Sequence, residues 1–572
     1  MSHQTEAHGS VKTSGHGKSV GVIAAVVVGL AAGFFLGKGT SSPDAPPKEP
    51  PLKAQALTPV LATRGEALFT KQCATCHGPK GWGDGPAAYL LYPRPRDFSS
   101  ARFRLVSTTN QVPTDEDLFR VITKGIPRSA MPAWNHLSEA DRWALVHHVR
   151  KLTRDGLTAK LMLDDPDLSQ KDTDEIVAEA TSPGDVWKLP PETPVTLESL
   201  ARGRRIFMKT CAKCHDSNGQ GTGRDDLRTD DGMPIRARDF TRGIFKGGKT
   251  SAALAKRLLS GIPGTPMPSH SAGFGMDGTG PPMADDLWAL VHFVQSLIRP
   301  DAQELAQQGQ KVLVAEHVAK VSTDPNDPSW RSVTPTYVAL MHLWWNDKRA
   351  DGLLVRAAHD GKRIAFQLTW EDGTMNDDVL RQDSFSDAAA IQLSPSLDPP
   401  LFTMGSKESQ VHILQWKAHW QKGVDTYQDI ERVYPNMAVD QYPGIKNPTF
   451  GDQLTVEAVA TAKHRPIFMT GWSVGNLLST PGRKSAVESL AAKGFGTLRS
   501  LPATEQSAEG HGQWEDRFWQ ITLVRDLAAD GALPLTADKD TSIAFAIWDG
   551  GVGDRNGQKS VTIWHRIKLE TK

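Results

Sequence analysis

Four cysteines stand in the 572-residue chain, and all of them belong to two Cys-x-x-Cys-His strings, Cys73-Ala74-Thr75-Cys76-His77 and Cys211-Ala212-Lys213-Cys214-His215. Two thiols at this spacing add to the two vinyl groups of one haem while the neighbouring imidazole reaches the iron from the same side, which is covalent c-type attachment. A zinc site needs four ligands, and each string offers three. With every cysteine used, none is left for a disulfide framework or an iron-sulfur cluster. The opposite face of each iron needs its own ligand. Met131 and Met267 follow His77 and His215 by 54 and 52 residues, and each is followed by proline. Proline disfavours the helical region for the residue before it, so these methionines are expected on extended backbone that can aim a thioether inward. His136 and His270 are the alternative ligands, but they do not stand at matched positions.

The two strings sit in an internal duplication. Arg64-Gly65 and Cys73 align with Arg202-Gly203 and Cys211 at one offset of 138 residues. The match continues past the cysteines: Asp97-Phe98 with Asp239-Phe240, Gly125-Ile126-Pro127 with Gly261-Ile262-Pro263, Met131-Pro132 with Met267-Pro268, and Trp143 to His147 with Trp288 to His292. Each repeat needs a helix before the cysteines and another after the methionine to close a haem pocket. Ser138 reads as the N-cap of that second helix, with Trp143, Val146 and Val149 on one face. Gly65 and Gly203 would let the two helices cross closely, or would merely break the first helix near its start. His147, His148 and His292 read as packing or surface residues. On these motifs, residues 58–155 and 196–300 resemble class I cytochrome c domains, small all-α folds that each enclose one haem.

Around the repeats the texture changes. Residues 1–19 form a His-, Ser- and Gly-containing head, and Val20 to Gly37 run for eighteen positions without a charge between Lys18 and Lys38. That is about the minimum length for a transmembrane helix, so residues 20–37 are expected to be an uncleaved single-pass anchor. A cleaved signal peptide is the rival reading. Residues 38–57 are a Pro-rich tether, and residues 156–195, rich in Asp and Glu, are expected to be a solvated acidic linker. Lys+Arg and Asp+Glu are each 65, so no basic surplus points to nucleic acid. A mean hydropathy of −0.38 excludes a polytopic membrane protein.

Residues 301–572 read as strands. Eleven of the sixteen tryptophans fall between Trp330 and Trp564, and Ile364, Phe366, Leu368 and Trp370 alternate with Ala365, Gln367 and Thr369, as Ile543, Phe545 and Ile547 do with their neighbours. This is the period of half-buried strands, and turns such as Glu371-Asp372-Gly373 and Asp549-Gly550-Gly551 separate them, so a mainly antiparallel β-sandwich is expected. The strings Trp345 to Arg349, Ala365 to Asp372, Asp383 to Gln392, Met404-Gly405-Ser406 with Gln415 to Ala418, and Ala544 to Gly551 resemble the ethylbenzene dehydrogenase-type haem b domain, the γ subunits of periplasmic molybdenum enzymes of the DMSO reductase superfamily. The resemblance implies one non-covalent haem b held by a methionine and a lysine. Met404 matches the methionine; Lys493 matches the lysine, with Lys484 as the alternative.

Taken together, the sequence predicts a single-pass, bacterial inner-membrane protein with its haem domains in the periplasm, carrying two haem c and one haem b. It would relay electrons between a molybdenum oxidoreductase, with its molybdenum α subunit and iron-sulfur β subunit, and the respiratory cytochrome pool. Six-coordinate irons leave no open position, so no residue is read as catalytic and substrate chemistry would belong to another subunit. A dihaem peroxidase-like enzyme, or a dihaem cytochrome with a haem-free docking module, are the alternatives.

Overall fold

The computed structural model describes residues 54–425 and 483–572, apart from positions 279, 301, 303–308, 347, 402, 529–530, 532 and 572, together with positions 433, 434, 436, 476 and 477. The anchor read over residues 20–37, the head before it and most of the tether lie outside the described residues. Among the described residues, no helix is long and apolar enough to cross a membrane.

Each repeat folds as a small helical unit. In the first, Thr58 accepts a hydrogen bond from Leu61 N–H at the start of helix Pro59–Gln72, and the capping box of Thr114 with Asp117 starts helix Asp115–Lys124. Ser138 caps helix Glu139–Asp164 as its sequence position foretold, and Trp143, Val146 and Val149 are buried. The second repeat uses helices Leu197–Thr210, Ser251–Ser260 and Ala284–Ser296. In both, the first and last helices cross at glycine. A Cβ on Gly65 would collide with the carbonyl oxygen of Ala144, and one on Gly203 with that of Ala289, so the close-crossing role is the one the structure realises. Gly65→Ala or Gly203→Ala is accordingly expected to destabilise its own domain by about 1–3 kcal/mol through overpacking, read as a lowered thermal transition with haem content retained.

The stretch expected to be a solvated linker, residues 156–195, is largely ordered as helix. Helix Glu139–Asp164 runs through the expected boundary at residue 155 because no proline intervenes before Pro166, and Gly156 is itself a close-packing position against Ser99. Ser169 then caps helix Gln170–Thr181, whose Thr173 and Val177 are buried while most of its acidic residues face solvent.

The C-terminal region is mostly β-sheet. Among the described residues fourteen strands form one hydrogen-bonded sheet: β1 (Val312–His317), β2 (Thr336–Ala339), β3 (Met341–His342), β4 (Gly352–His359), β5 (Arg363–Glu371), β6 (Ala388–Ser394), β7 (Val411–Lys417), β8 (Val487–Ala492), β9 (Arg499–Ser500), β10 (Glu509–Glu515), β11 (Phe518–Asp526), β12 (Thr541–Trp548), β13 (Ser560–Val561) and β14 (His565–Leu569), with β2, β3 and β13 off its main path. Most pairings are antiparallel; β1 pairs in parallel with β14 and with β4. Strands distant in that order meet in the core: Trp416 of β7 lies 4.9 Å, centroid to centroid, from Trp519 of β11, and 6.5 Å from Trp370 of β5. The sheet therefore curls until its halves face each other, and the sandwich-like core is made by one continuous sheet. β5 also departs from the half-buried expectation. Ala365 and Gln367 are as buried as Ile364 and Phe366, because Val321, Trp330 and Val333 cover the second face and Gln367 donates to Pro325 O.

Candidate haem-binding sites

In the first repeat Cys73, Cys76, His77 and Met131 line one cavity of about 170 Å³. In the second, Cys211, Cys214, His215 and Met267 line another of about 660 Å³. All eight residues named from spacing are thus brought together in fours. The ring of His77 bonds through Nδ1 to the carbonyl of Arg96 at 3.0 Å, and that of His215 to the carbonyl of Arg238 at 3.1 Å. A carbonyl can only accept, so Nδ1 carries the proton and Nε2 keeps its lone pair for a metal. Burial lowers the pKa of both rings, that of His215 to about 4, which keeps each imidazole neutral at neutral pH. Phe98 and Phe240 stack on the two rings at 4.7 and 4.4 Å.

The methionine loops are built alike. Ile126 N–H donates to Met131 O at 2.9 Å, and Ile262 N–H to Met267 O at 3.0 Å. Gly125 and Gly261, at φ +65° and +66°, bring the Gly-Ile-Pro strings so close to Pro132 and Pro268 that a Cβ on either would meet the following backbone. The repeated Gly-Ile-Pro strings are thus the supports of the methionine loops. His136 lies outside the first cavity's wall, whereas His270 lines the second together with Met267.

The two cavities abut, sharing Pro93 and Lys246 as wall residues. Lys246 comes from the second repeat and yet faces the first repeat's cavity. Its ammonium is held well below the usual lysine range by burial and then by the guanidinium groups of Arg238, Arg104, Arg96 and Arg257. Burial also lowers Arg104 and Arg257 to about 10. Asp231, Asp97 and Asp230 offset Arg96, Asp231 and Asp230 offset Arg104, and Asp117 offsets Arg257, yet burial remains the largest influence on these three and on Lys246, so further anions would stabilise the group. A haem brings two propionates, and Arg96, Arg104, Arg238, Lys246 and Arg257 are the residues that would hold them. Sequence reading missed the cluster. One signal was present: the repeat extends to Arg96-Asp97-Phe98 and Arg238-Asp239-Phe240.

The β region borders both cavities. Leu401 lines the first, and Trp345 and Lys348 line the second. Tyr92 exchanges backbone hydrogen bonds with it, Tyr92 N–H to Leu343 O at 2.8 Å and Trp345 N–H to Tyr92 O at 2.7 Å. Asp351 bonds Arg128 of the first repeat at 2.6 Å and Arg242 of the second at 2.7 Å, so a single carboxylate ties all three domains.

Met404 sits three residues after Leu401 in a turn with φ +51°, a left-handed conformation unusual for a side-chain-bearing residue. Gly494 N–H donates to Met404 O at 3.0 Å, and a Cβ on Gly405 would stand 2.7 Å from Ala492 O. The turn of Met404 and the turn of Lys493 therefore lie against each other. Lys484 lies before the opposite end of β8, away from Met404, and both lysines are exposed.

Residues 60–149 match the family described as Cytochrome C oxidase, cbb3-type, subunit III, residues 200–297 the family Cytochrome c, and residues 328–560 the family Ethylbenzene dehydrogenase. The chain is 24% identical over 253 residues to a protein of Haloferax mediterranei named as a respiratory nitrate reductase heme subunit, covering 42% of this chain and 67% of that protein. It is 26% identical over 261 residues to the dimethylsulfide dehydrogenase subunit gamma of Rhodovulum sulfidophilum, covering 43% of this chain and 74% of the other. Among solved structures, a chain of the reducing HAO-like protein complex of Kuenenia stuttgartiensis aligns at 29% identity and a TM-score of 0.34, over 41% of this chain and 96% of its own. The chain therefore joins two cytochrome c-type domains, the haem-binding repeats, to a C-terminal domain of the ethylbenzene dehydrogenase type.

Proposed function

We propose that the protein is the membrane-anchored, periplasmic electron-transfer subunit of a molybdenum oxidoreductase, carrying two haem c and one haem b. The observation that carries this reading is the run of abutting sites: the Met404 turn three residues from Leu401, Leu401 in the wall of the first haem cavity, and Pro93 and Lys246 common to both cavities. It supports the order haem b, first haem c, second haem c. Bound haem supplies one-electron transfer. The chain's residues would do the rest: the cysteine thiols would tether each c haem, His Nε2 and the Met sulfur would ligate its iron, and the apolar walls would keep water away. Axial methionine favours the ferrous state and raises the potential, which suits a high-potential relay. Two matched Met-Pro loops leave neither iron open, which disfavours a peroxidase. The two curated relatives, by their names a gamma subunit and a heme subunit of other oxidoreductases, support a catalytic partner with a molybdenum α subunit and an iron-sulfur β subunit. The charge-free segment 20–37 supports the anchor, with residues 1–19 in the cytoplasm and everything from residue 38 onward in the periplasm, where c-type haem is attached.

The test is haem stoichiometry in protein matured in a competent host. Two covalent haems and one haem extractable with acid acetone are expected per chain. Met404→Ala should lose the extractable haem while both covalent haems remain, and Lys493→Ala should change its spectrum while Lys484→Ala does not. Two covalent haems and no extractable one would refute the haem b assignment. Absence of any co-purifying molybdenum subunit, with turnover of peroxide, would replace the relay with the peroxidase reading.

A further inference from the structure

Three of the strings that mark the C-terminal domain each contribute a carboxylate to one place that electron transfer does not use. Asp372 closes the string after β5, Asp387 stands just before β6 and Asp549 follows β12, and one carboxylate oxygen from each lies within 4.8 Å of the others. Two oxygens on opposite sides of a Ca²⁺ at about 2.4 Å are about 4.8 Å apart, so the grouping is compatible with one shared ion. Asp372 is 2% exposed and Asp387 0%. Backbone and indole donors hold the carboxylates in place: Thr374 N–H on Asp372, Asn376 N–H, Trp519 Nε1–H and Gly550 N–H on Asp387, and Val552 N–H on Asp549. One oxygen is left over. Asp372 Oδ2 is buried and makes no hydrogen bond of standard geometry, the indole N–H of Trp370 being the donor beside the carboxylate.

A buried carboxylate oxygen without a well-placed donor is costly, and three carboxylates in mutual contact add repulsion. Burial and then the charges of Asp387 and Asp549 push Asp372 up to about 8, and burial pushes Asp387 up to about 7. The neighbouring guanidinium of Arg349 bonds Asp554 through one nitrogen, and its charge and that of Lys348 offset part of the burial of Asp549. Two neutral oxygens stand beside Asp549 Oδ1: Asn376 Oδ1 and Thr374 Oγ1, the second donating to the first at 2.8 Å, lie with that carboxylate oxygen around the place a Cβ on Gly551 would occupy. The donors are all oxygen, with no sulfur or imidazole among them, which selects a hard cation over zinc or copper. Asp372 and Asp387 are buried while Asp549 and Asn376 are half-buried and Thr374 is exposed, so the grouping opens to solvent on one side. Carboxylates brought from three separate turns suit Ca²⁺, which accepts six to eight oxygens in flexible geometry, better than Mg²⁺, which demands a near-ideal octahedron. We infer that Asp372, Asp387 and Asp549, with Thr374 and Asn376 beside them, form a Ca²⁺ site that pins the ends of β5, β6 and β12 together.

The test uses the full-length, haem-loaded protein. After treatment with EGTA and exchange into metal-free buffer, equilibrium dialysis with radioactive Ca²⁺ should give about one bound ion per chain. Calorimetry should show the C-terminal domain's transition moving up with added Ca²⁺ and hardly moving with the same concentration of Mg²⁺. Asp372→Asn and Asp549→Asn keep the side-chain shape, and each should weaken Ca²⁺ binding at least tenfold and flatten the thermal response while covalent haem content stays at two. Wild-type protein that binds no Ca²⁺ and melts alike in Ca²⁺ and EGTA would overturn the site. So would variants that bind as tightly as the wild type, or a preference for Mg²⁺. In the first of those cases the three carboxyls are a proton-sharing cluster, and Asp372→Asn should raise the melting temperature.

Discussion

Met131→Ala and Met267→Ala are each expected to convert one six-coordinate c haem into a form that binds carbon monoxide, to lower that haem's potential, and to leave the other haem nearly unchanged. The separation follows from the architecture. Each methionine is aimed by its own loop, through the bonds from Ile126 to Met131 and from Ile262 to Met267, and each lines one cavity only. In the proposed arrangement, loss of the thioether removes the ligand that favours ferrous iron, so the potential must fall rather than rise. The covalent thioether links and the proximal imidazoles are untouched, so covalent haem content should hold at two. A reductive titration with and without carbon monoxide reads both effects. His270 provides the built-in control for the second site, because it lines the same cavity as Met267. If Met267→Ala keeps a low-spin spectrum while Met267→Ala combined with His270→Ala does not, histidine is the ligand there and the matched-loop argument holds only for the first repeat. If neither single variant alters spectrum or potential, both methionines are packing residues.

Asp351→Asn is expected to loosen the union of all three domains at a cost of about 3 kcal/mol. Its carboxylate meets Arg128, whose side chain is only 7% exposed, and Arg242 at 29%. Removing the charge leaves a mostly buried guanidinium facing a neutral amide. Burial opposes ionisation of Asp351, and His342, Arg128 and Arg242 outweigh it, holding the carboxyl well below the usual aspartate range. His342 Nε2 stands 3.8 Å away, beyond hydrogen-bond reach, so its influence is electrostatic and the two arginines make the bonds. A depressed folded-state pKa fixes the sign of the pH dependence. The stabilisation is fully present above the unfolded value of about 3.9 and is lost as pH falls below it toward the folded value. The gap between wild type and Asp351→Asn should therefore be constant from about pH 5 upward and close in stronger acid. Calorimetry should show the variant's transitions separating, since the domains lose a shared contact before each loses its own core. A single unchanged transition would mean that Tyr92 and its partners carry the interface without Asp351.

Local chemistry was legible in the sequence because it is local. Haem attachment uses residues three and four apart, a helix cap uses residues three apart, and the proline after methionine acts on its immediate neighbour, so Cys73, Cys76, His77, Met131 and their counterparts could be named from spacing. Alternation likewise exposed β5 and β12. Residue type without a partner was less informative. The acidic composition of residues 156–195 suggested a solvated strap, but composition does not register that Thr173 and Val177 offer one buried face while the acids take the other.

Sequence alone determined the haem-binding motifs, the duplication and the strand-rich C-terminal half, since each of these is written in contiguous residues or a short period. Only the tertiary structure decided that the two cavities share Pro93 and Lys246, that Asp351 joins Arg128 to Arg242, that Met404 lies against the turn of Lys493 and away from Lys484, and that Asp372, Asp387 and Asp549 converge. The physical reason is that these contacts join residues tens to hundreds of positions apart. Their geometry is fixed by how helices pack and how one sheet curls onto itself, and neither process leaves a periodic trace in the chain.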